Sequence, residues 1–230
     1  MAPDLRGYNL SDRPTGSDAY RLDVLADDVL GVADALGRDR FAVVGHDWGG
    51  VLAWHLAARA PDRIARAAIL NAPHPAAMGA FVRRHPSQLA RSWYVAFFQL
   101  PGLPERMLAA ADFAWLRNGL VRTSHRGTFS ATDLDRYREA WAQPGALTAM
   151  LAWYRALRLQ QPLRARVRPP VLVIWGDGDR FLDHRLAEAS LDWCDRGEVV
   201  HLSRASHWVQ HEDPEEVNRL LLRFLASGPR

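Results

Sequence analysis

A chain of 230 residues can bury one well-packed core and still carry an inserted subdomain. Hydrophobic residues make up 48% and charged residues 24%, and the net charge of +3 rests on arginine alone, because the chain has no lysine. The arginines are scattered among alanines and acids, which argues against a nucleic-acid partner. The single cysteine, Cys194, excludes an internal disulfide and a cysteine-built zinc site and suits a reducing cytoplasm. No apolar run nears the ~18 residues of a membrane span, and the opening M-A-P-D-L-R-G-Y lacks the apolar core of a signal peptide.

Pro3 to Arg13 reads as the end of a strand followed by a polar loop. Ala19 to Leu36 has a helical pattern, with Leu22, Leu25, Val29, Val32, Ala33 and Leu36 on one side and Gly37 as the stop. Phe41 to Val44 is a short aromatic and β-branched run of the kind that forms a strand buried on both faces. After Gly45 to Gly50 comes a helical stretch that Pro61 ends, and Ile64 to Leu70 reads as a second buried strand. Helix, strand, helix, strand in that order predicts parallel pairing with crossovers.

From Asn71 onward the character changes. A long stretch rich in Trp, Phe, Tyr, Leu and Ala shows helical segments broken at Pro86, Pro101, Pro104 and Pro144 and no clear strand. One helix is predicted to start near Thr132 or Asp133, where Ser130 and Asp133 have capping-box spacing. Another carries Leu147, Met150, Leu151 and Tyr154. The sheet resumes at Pro170 to Trp175, followed by a short helix from about His184 to Trp193 and a strand at Val199 to Leu202. A last helix is capped by Asp213 and Pro214 and buries Val217, Leu220, Leu221, Phe224 and Leu225. The domain organisation read from this pattern is an α/β core at 1–72, a helical cap at 73–168 and the rest of the core at 169–230.

Three ionisable residues fall after predicted strands. Asp47 stands where a strand turns sharply into a helix, with the small residues Gly45 and Gly49 two positions either side. This is the nucleophile-elbow pattern with aspartate in the place of serine. The helix N-terminus favours a carboxylate there, and the Trp48 backbone N–H is a candidate oxyanion donor. A plain N-cap role for Asp47 is the competing reading. Asp179, in G-D-G-D, follows a later strand and competes with Asp177, and either could serve a turn instead. His207, in A-S-H-W, follows the last strand, and by itself it reads equally as a loop histidine. In an open parallel sheet, loops at the carboxyl ends of the strands share the ligand-binding edge. Nucleophile, acid and histidine in this chain order match a hydrolase triad.

With G-H-D-W-G-G, N-A-P-H-P, W-G-x-x-D ending at Asp179 and S-H-W-V-Q-H-E-D-P-E-E, nearly the whole chain resembles the epoxide hydrolase branch of the α/β-hydrolase superfamily. The resemblance implies an α/β-hydrolase fold with an inserted helical cap, and an enzyme that opens an epoxide to a vicinal diol through an ester on Asp47. It implies Asp179 and His207 as the other triad members. Tyr94 and Tyr154 match the cap tyrosines that hydrogen-bond the epoxide oxygen, although both could be amphipathic core residues. Neither a metal nor an organic cofactor is required. The aromatic cap residues Trp93, Phe97, Phe98 and Trp153, with Trp115 and Trp141, suggest an apolar substrate, and they read equally as lid core.

Members of that branch carry further strands before P-D-L-R-G and an H-G-x-P loop that supplies a second oxyanion N–H. Nothing here matches them, so the expectation is an N-terminally incomplete copy from a misplaced start, with impaired activity. The expected partner is a small apolar epoxide or haloalkane, with no nucleic acid and no membrane; assembly as a homo-oligomer is left open. The alternatives are a haloalkane dehalogenase using the same Asp, His and Asp, and an inactive remnant serving as a binding module.

Overall fold

Residues 1–161, 163 and 165–226 are described by the computed structural model. In chain order the elements are α1 (Leu22–Ala35), β1 (Phe41–His46), α2 (Trp48–Arg59), β2 (Ile64–Leu70), α3 (Pro75–Arg84), α4 (Pro86–Arg91), α5 (Trp93–Phe97), α6 (Leu103–Thr123), α7 (Ala131–Trp141), α8 (Ala146–Ala156), β3 (Val171–Gly176), α9 (Leu186–Leu191), β4 (Gly197–Leu202), α10 (Val209–Glu212) and α11 (Pro214–Ala226). Short 3-10 turns lie at Asp18–Tyr20 and Leu157–Leu159.

The strands form one sheet in the order β1-β2-β3-β4, every neighbouring pair parallel. Side chains alternate across β2, so the sheet is covered on both faces. Ile69 meets α2 at Gly50. Ala68 and Leu70, pointing the other way, join Leu172, Ile174 and Leu202 under the apolar stripe Val217, Leu220 and Phe224 of α11. β3 is buried throughout, as a continuous apolar run in the middle of a sheet should be. β1 departs from the expectation of burial on both faces: Ala42 is exposed and Val44 is 45% exposed. It is an edge strand that pairs, among the described residues, with β2 alone, and so receives less cover than the same residues would at the centre.

Other differences have local causes. Pro3 to Arg13 makes turns instead of ending a strand, because Gly7 (φ +89°) and Asn9 (φ +43°) bend the backbone out of the extended region. Pro104 does not break a helix; it lies in the first turn of α6, where its missing N–H is not needed. α7 begins at Ala131 under a complete Ser130/Asp133 capping box, and α9 is shorter than His184 to Trp193. α10 is a single short turn that carries no periodic signal. Val32, Leu36 and Leu225, placed by periodicity on buried faces, are 37%, 50% and 37% exposed. Val32 and Leu225 stand in the last turns of α1 and α11, and Leu36 lies just past the end of α1.

Two compact units divide the chain: Met1–Val29 with Ser92–Gln161, and Leu30–Arg91 with Pro162–Arg230. The boundaries at 73 and 168 read from composition therefore differ from those of the units. α3 and α4 go with the sheet, because the His74 backbone N–H bonds Ser190 Oγ on α9, and Gln88 bonds the Phe181 carbonyl and the Asp183 N–H. Met1–Val29 goes with the helices. There Arg6 pairs with Asp28, the Trp153 indole N–H donates to the Arg6 carbonyl at 3.0 Å, and the Tyr20 hydroxyl bonds the Pro14 carbonyl. Among the described residues no helix is long and apolar enough to cross a membrane, and no group of three or more His, Cys, Asp or Glu could hold a metal ion.

Candidate active site

β1 ends at His46 and α2 starts at Trp48, so Asp47 alone makes the turn, at φ +52° and ψ −121°. Such a backbone is costly for a residue with a Cβ and persists only where its surroundings enforce it. The enforcing contact is at Gly45, where a Cβ would stand 2.1 Å from the Gly49 carbonyl oxygen. The spacing around Asp47 puts the second small position at Gly49, but a Cβ there would meet nothing within 4 Å. Gly50 is the confined one, 2.5 Å from the Ala72 Cβ. The reason is directional: the first turn of α2 lays the Gly49 backbone on Gly45 and turns the Gly50 Cα toward β2.

Asp47 Oδ1 accepts the Trp48 N–H at 2.7 Å. Its Oδ2 lies 3.2 Å from His207 Nε2. On the far side of the ring, His207 Nδ1 meets Asp179 Oδ2 at 2.8 Å. The three residues follow the carboxyl ends of β1, β3 and β4, which the parallel sheet brings to one edge. The close approach of the last loop depends on Gly176, where a Cβ would lie 2.0 Å from the Ser206 carbonyl oxygen. Glu212 fixes the same loop by accepting the Ser206 N–H and hydroxyl. Asp177, the competing acid of G-D-G-D, turns to another partner, His201, at 2.5 Å.

The charges around His207 determine its state. Its side chain is only 3% exposed, and burial by itself would favour the neutral ring. The Asp179 and Asp47 carboxylates overcome that and hold its pKa well above the ordinary value. Burial likewise works against the Asp47 carboxylate, but the bond to His207 and the nearby positive charge keep its pKa below the ordinary range. Because the Asp47 side chain is 44% exposed, water moderates both effects there.

Sequence reasoning gave His46 and Asn71 no role. His46 packs its ring 4.6 Å from that of His207, and its Nε2 lies 2.8 Å from the His207 carbonyl oxygen. A carbonyl only accepts, so Nε2 carries the hydrogen. Burial first, and then the charge on His207, lower the His46 pKa to about 4. Asn71, at the end of β2, donates to Asp179 Oδ2 at 2.8 Å. The available signal was its position after a strand at the same sheet edge.

The remaining predicted site residues lie in the helical unit. Tyr94 and Tyr154 are brought together, ring centroids 6.0 Å apart and nearly perpendicular, and each packs against Phe98. Phe97 and Trp115 belong to the same cluster, and Trp93 touches its edge with 57% of its surface exposed. Trp153 is instead an interior residue, 1% exposed, stacked edge-on against Tyr8 with its N–H on the Arg6 carbonyl. This differs from the substrate-contact role suggested for it, because the α8 face that carries Trp153 packs on the N-terminal segment.

Comparison with known proteins gives the family. Residues 1–214 match the family described as alpha/beta hydrolase fold. The AB hydrolase superfamily protein YfhM of Bacillus subtilis is 44% identical over 231 residues, covering 99% of this chain and 80% of that protein. Epoxide hydrolase 4 of Mus musculus is 36% identical over 239 residues, and the chain spans 66% of its length. Among solved structures, the Bacillus megaterium epoxide hydrolase in complex with an inhibitor superposes with a TM-score of 0.87 at 31% identity, covering 97% of this chain and 82% of that one. The chain therefore belongs to the alpha/beta hydrolase fold family, as an epoxide hydrolase-like member.

Proposed function

We propose that this protein opens a small apolar epoxide to a vicinal diol through a covalent ester on Asp47. The observation that carries the reading is His207 lying between Asp47 Oδ2 and Asp179 Oδ2, with Asp47 held on a strained turn. A saturated epoxide carbon offers no carbonyl for a serine to attack. A carboxylate can displace the ring oxygen and leave its own carbonyl for water to attack.

In the resting site Asp47 is an anion and His207 a cation. One Asp47 oxygen attacks the less hindered ring carbon, the C–O bond to the ring oxygen breaks, and the alkoxide takes up a proton. Tyr94 and Tyr154 are assigned to hydrogen-bond that oxygen; a phenol with a reference pKa of ~10 is neutral at pH 7 and can donate without being charged. The ester has no charge, so His207 loses one of the two anions that raised its pKa and gives up the proton needed by the alkoxide. Neutral His207, oriented by Asp179, then takes a proton from water, and the hydroxide attacks the Asp47 carbonyl. The Trp48 N–H, already on Asp47 Oδ1, stabilises the oxyanion. Collapse releases the diol and restores the Asp47 anion and the His207 cation.

The test is intact-protein mass spectrometry of a His207→Gln variant incubated with styrene oxide. The expected result is an adduct of one epoxide mass, mapped to Asp47 by peptide fragmentation. An unmodified protein, or an adduct elsewhere, overturns the reading. Halide release from a haloalkane with no diol from any epoxide would point to the dehalogenase chemistry of the same triad.

A further inference from the structure

Asn71 is fully buried at the end of β2, with a left-handed backbone at φ +41°. Its side-chain amide is used on both sides. Nδ2 donates to Asp179 Oδ2 at 2.8 Å and lies 3.3 Å from the Gly176 carbonyl, while Oδ1 accepts the Gly176 N–H at 2.9 Å. The orientation of the amide is dictated by these partners, since the carboxylate and carbonyl accept and the Gly176 N–H donates.

Asp179 is thereby held at both oxygens. Oδ1 accepts the N–H groups of Phe181 at 2.7 Å and Leu182 at 3.0 Å, and Oδ2 accepts Asn71 and His207. The two backbone donors fix only Oδ1. Without a donor from Asn71, the plane of the carboxylate could swing about that anchor, and among the described residues the imidazole it is meant to orient would be the group left to place Oδ2.

We propose that Asn71 is a positioning residue for the hydrolytic half of the reaction: it sets the Asp179 carboxylate and, through it, the imidazole of His207. The inference rests on the ester reading above and predicts a division between its two steps. Ester formation uses the Asp47 carboxylate as the nucleophile and needs His207 only as a source of one proton, so it proceeds in Asn71 variants within about threefold of the wild-type rate. Ester hydrolysis requires an oriented base, and slows about ten- to hundredfold, the worth of one hydrogen bond to a charged group.

Two variants separate this role from a structural one. Asn71→Gly deletes the amide while tolerating the positive φ. Asn71→Asp is isosteric and keeps an acceptor for the Gly176 N–H, but two buried carboxylates this close share one proton, so it exchanges a fixed amide donor for a shared proton and weakens the acceptor that the His207 Nδ1–H meets. Rapid-quench mass spectrometry with styrene oxide reads the appearance and decay of the ester. Proton NMR of the resting enzyme reads the His207 Nδ1–H resonance without any turnover. The expected result is ester accumulation in both variants together with a shifted, faster-exchanging Nδ1–H. Wild-type decay rates with an unchanged resonance would overturn the inference, as would an equal slowing of both steps with that resonance unmoved. Absence of an ester from the wild type and from His207→Gln would count against the reaction reading, while the resonance would still report on Asn71.

Discussion

Gly45 is confined more tightly than the acid it serves. An added methyl would stand 2.1 Å from the Gly49 carbonyl, backbone against backbone, with no side chain able to move aside. Gly45→Ala is therefore expected to destabilise the protein by about 3 kcal/mol or more, at the upper end of overpacking costs. Gly49→Ala, with open space around its Cβ, should be neutral or stabilising by up to about 1 kcal/mol from helix propensity. Urea unfolding midpoints of the two variants check both. In the proposed reaction, esterification of Asp47 removes one of the anions that raise the His207 pKa. The rate of ester decay should thus rise with pH through an apparent pKa lower than that of His207 in the free enzyme, measurable by rapid quench across pH 5 to 10 (about the ordinary histidine range and above). The glycine frame, Asp47, Asp179 and His207 were legible as residue types at strand ends. The second confined glycine being Gly50, and the parts played by His46 and Asn71, were not, because each depends on which way a backbone turns against a neighbour distant in sequence.

Elements show the same division. β2 could be read to the residue from an apolar run interrupted at Arg66, and the start of α7 within one or two residues from its capping box. α6 could not. Between Leu103 and Thr123 its backbone leaves the helix at Ala110 and passes through three successive left-handed residues, Ala111, Asp112 and Phe113. Each L-residue held there costs roughly 1–2 kcal/mol, and no glycine marks the site. Ala111→Gly, at an exposed position with φ +50°, is expected to stabilise the protein by about 1 kcal/mol, read as a raised thermal midpoint. A lowered midpoint would show that this stretch is helical in solution. β1 illustrates the opposite case, a sequence suited to the centre of a sheet that occupies its edge, with Val44 exposed.

For the whole molecule, pH acts through histidines held in opposite states. His46 and His74 have pKa values lowered to about 4, chiefly by burial; the His74 ring is packed between Trp54 and Trp193. Unfolding lets both protonate near the ordinary value of 6.5, so each subtracts stability as pH falls from 6.5 toward 4, by up to about 1.4 kcal/mol per pH unit. His207 has the reverse sign: its contribution is full below the unfolded value and is lost as pH rises through its raised folded pKa. Asp47, with a lowered pKa, contributes above the ordinary carboxylate value and loses that contribution as pH falls through its folded value. Urea unfolding should show stability falling from pH 6.5 to pH 4.5, with a shallower fall in His74→Asn, which retains an acceptor for the Ala76 N–H. Equal slopes in the two proteins would place the acid sensitivity elsewhere. Most of the strands and helices, the chain order of the triad and the likeness to epoxide hydrolases were determined by the sequence, because local periodicity and short motifs are written along the chain. The family motif W-G-x-x-D already favoured Asp179 over Asp177 as the acid that meets His207; tertiary structure alone decided that Asn71 hydrogen-bonds that acid and that α3 and α4 join the sheet unit. Those outcomes depend on which groups the parallel sheet and its loops carry within hydrogen-bonding distance across 93 to 116 residues of chain, and no local pattern encodes that distance.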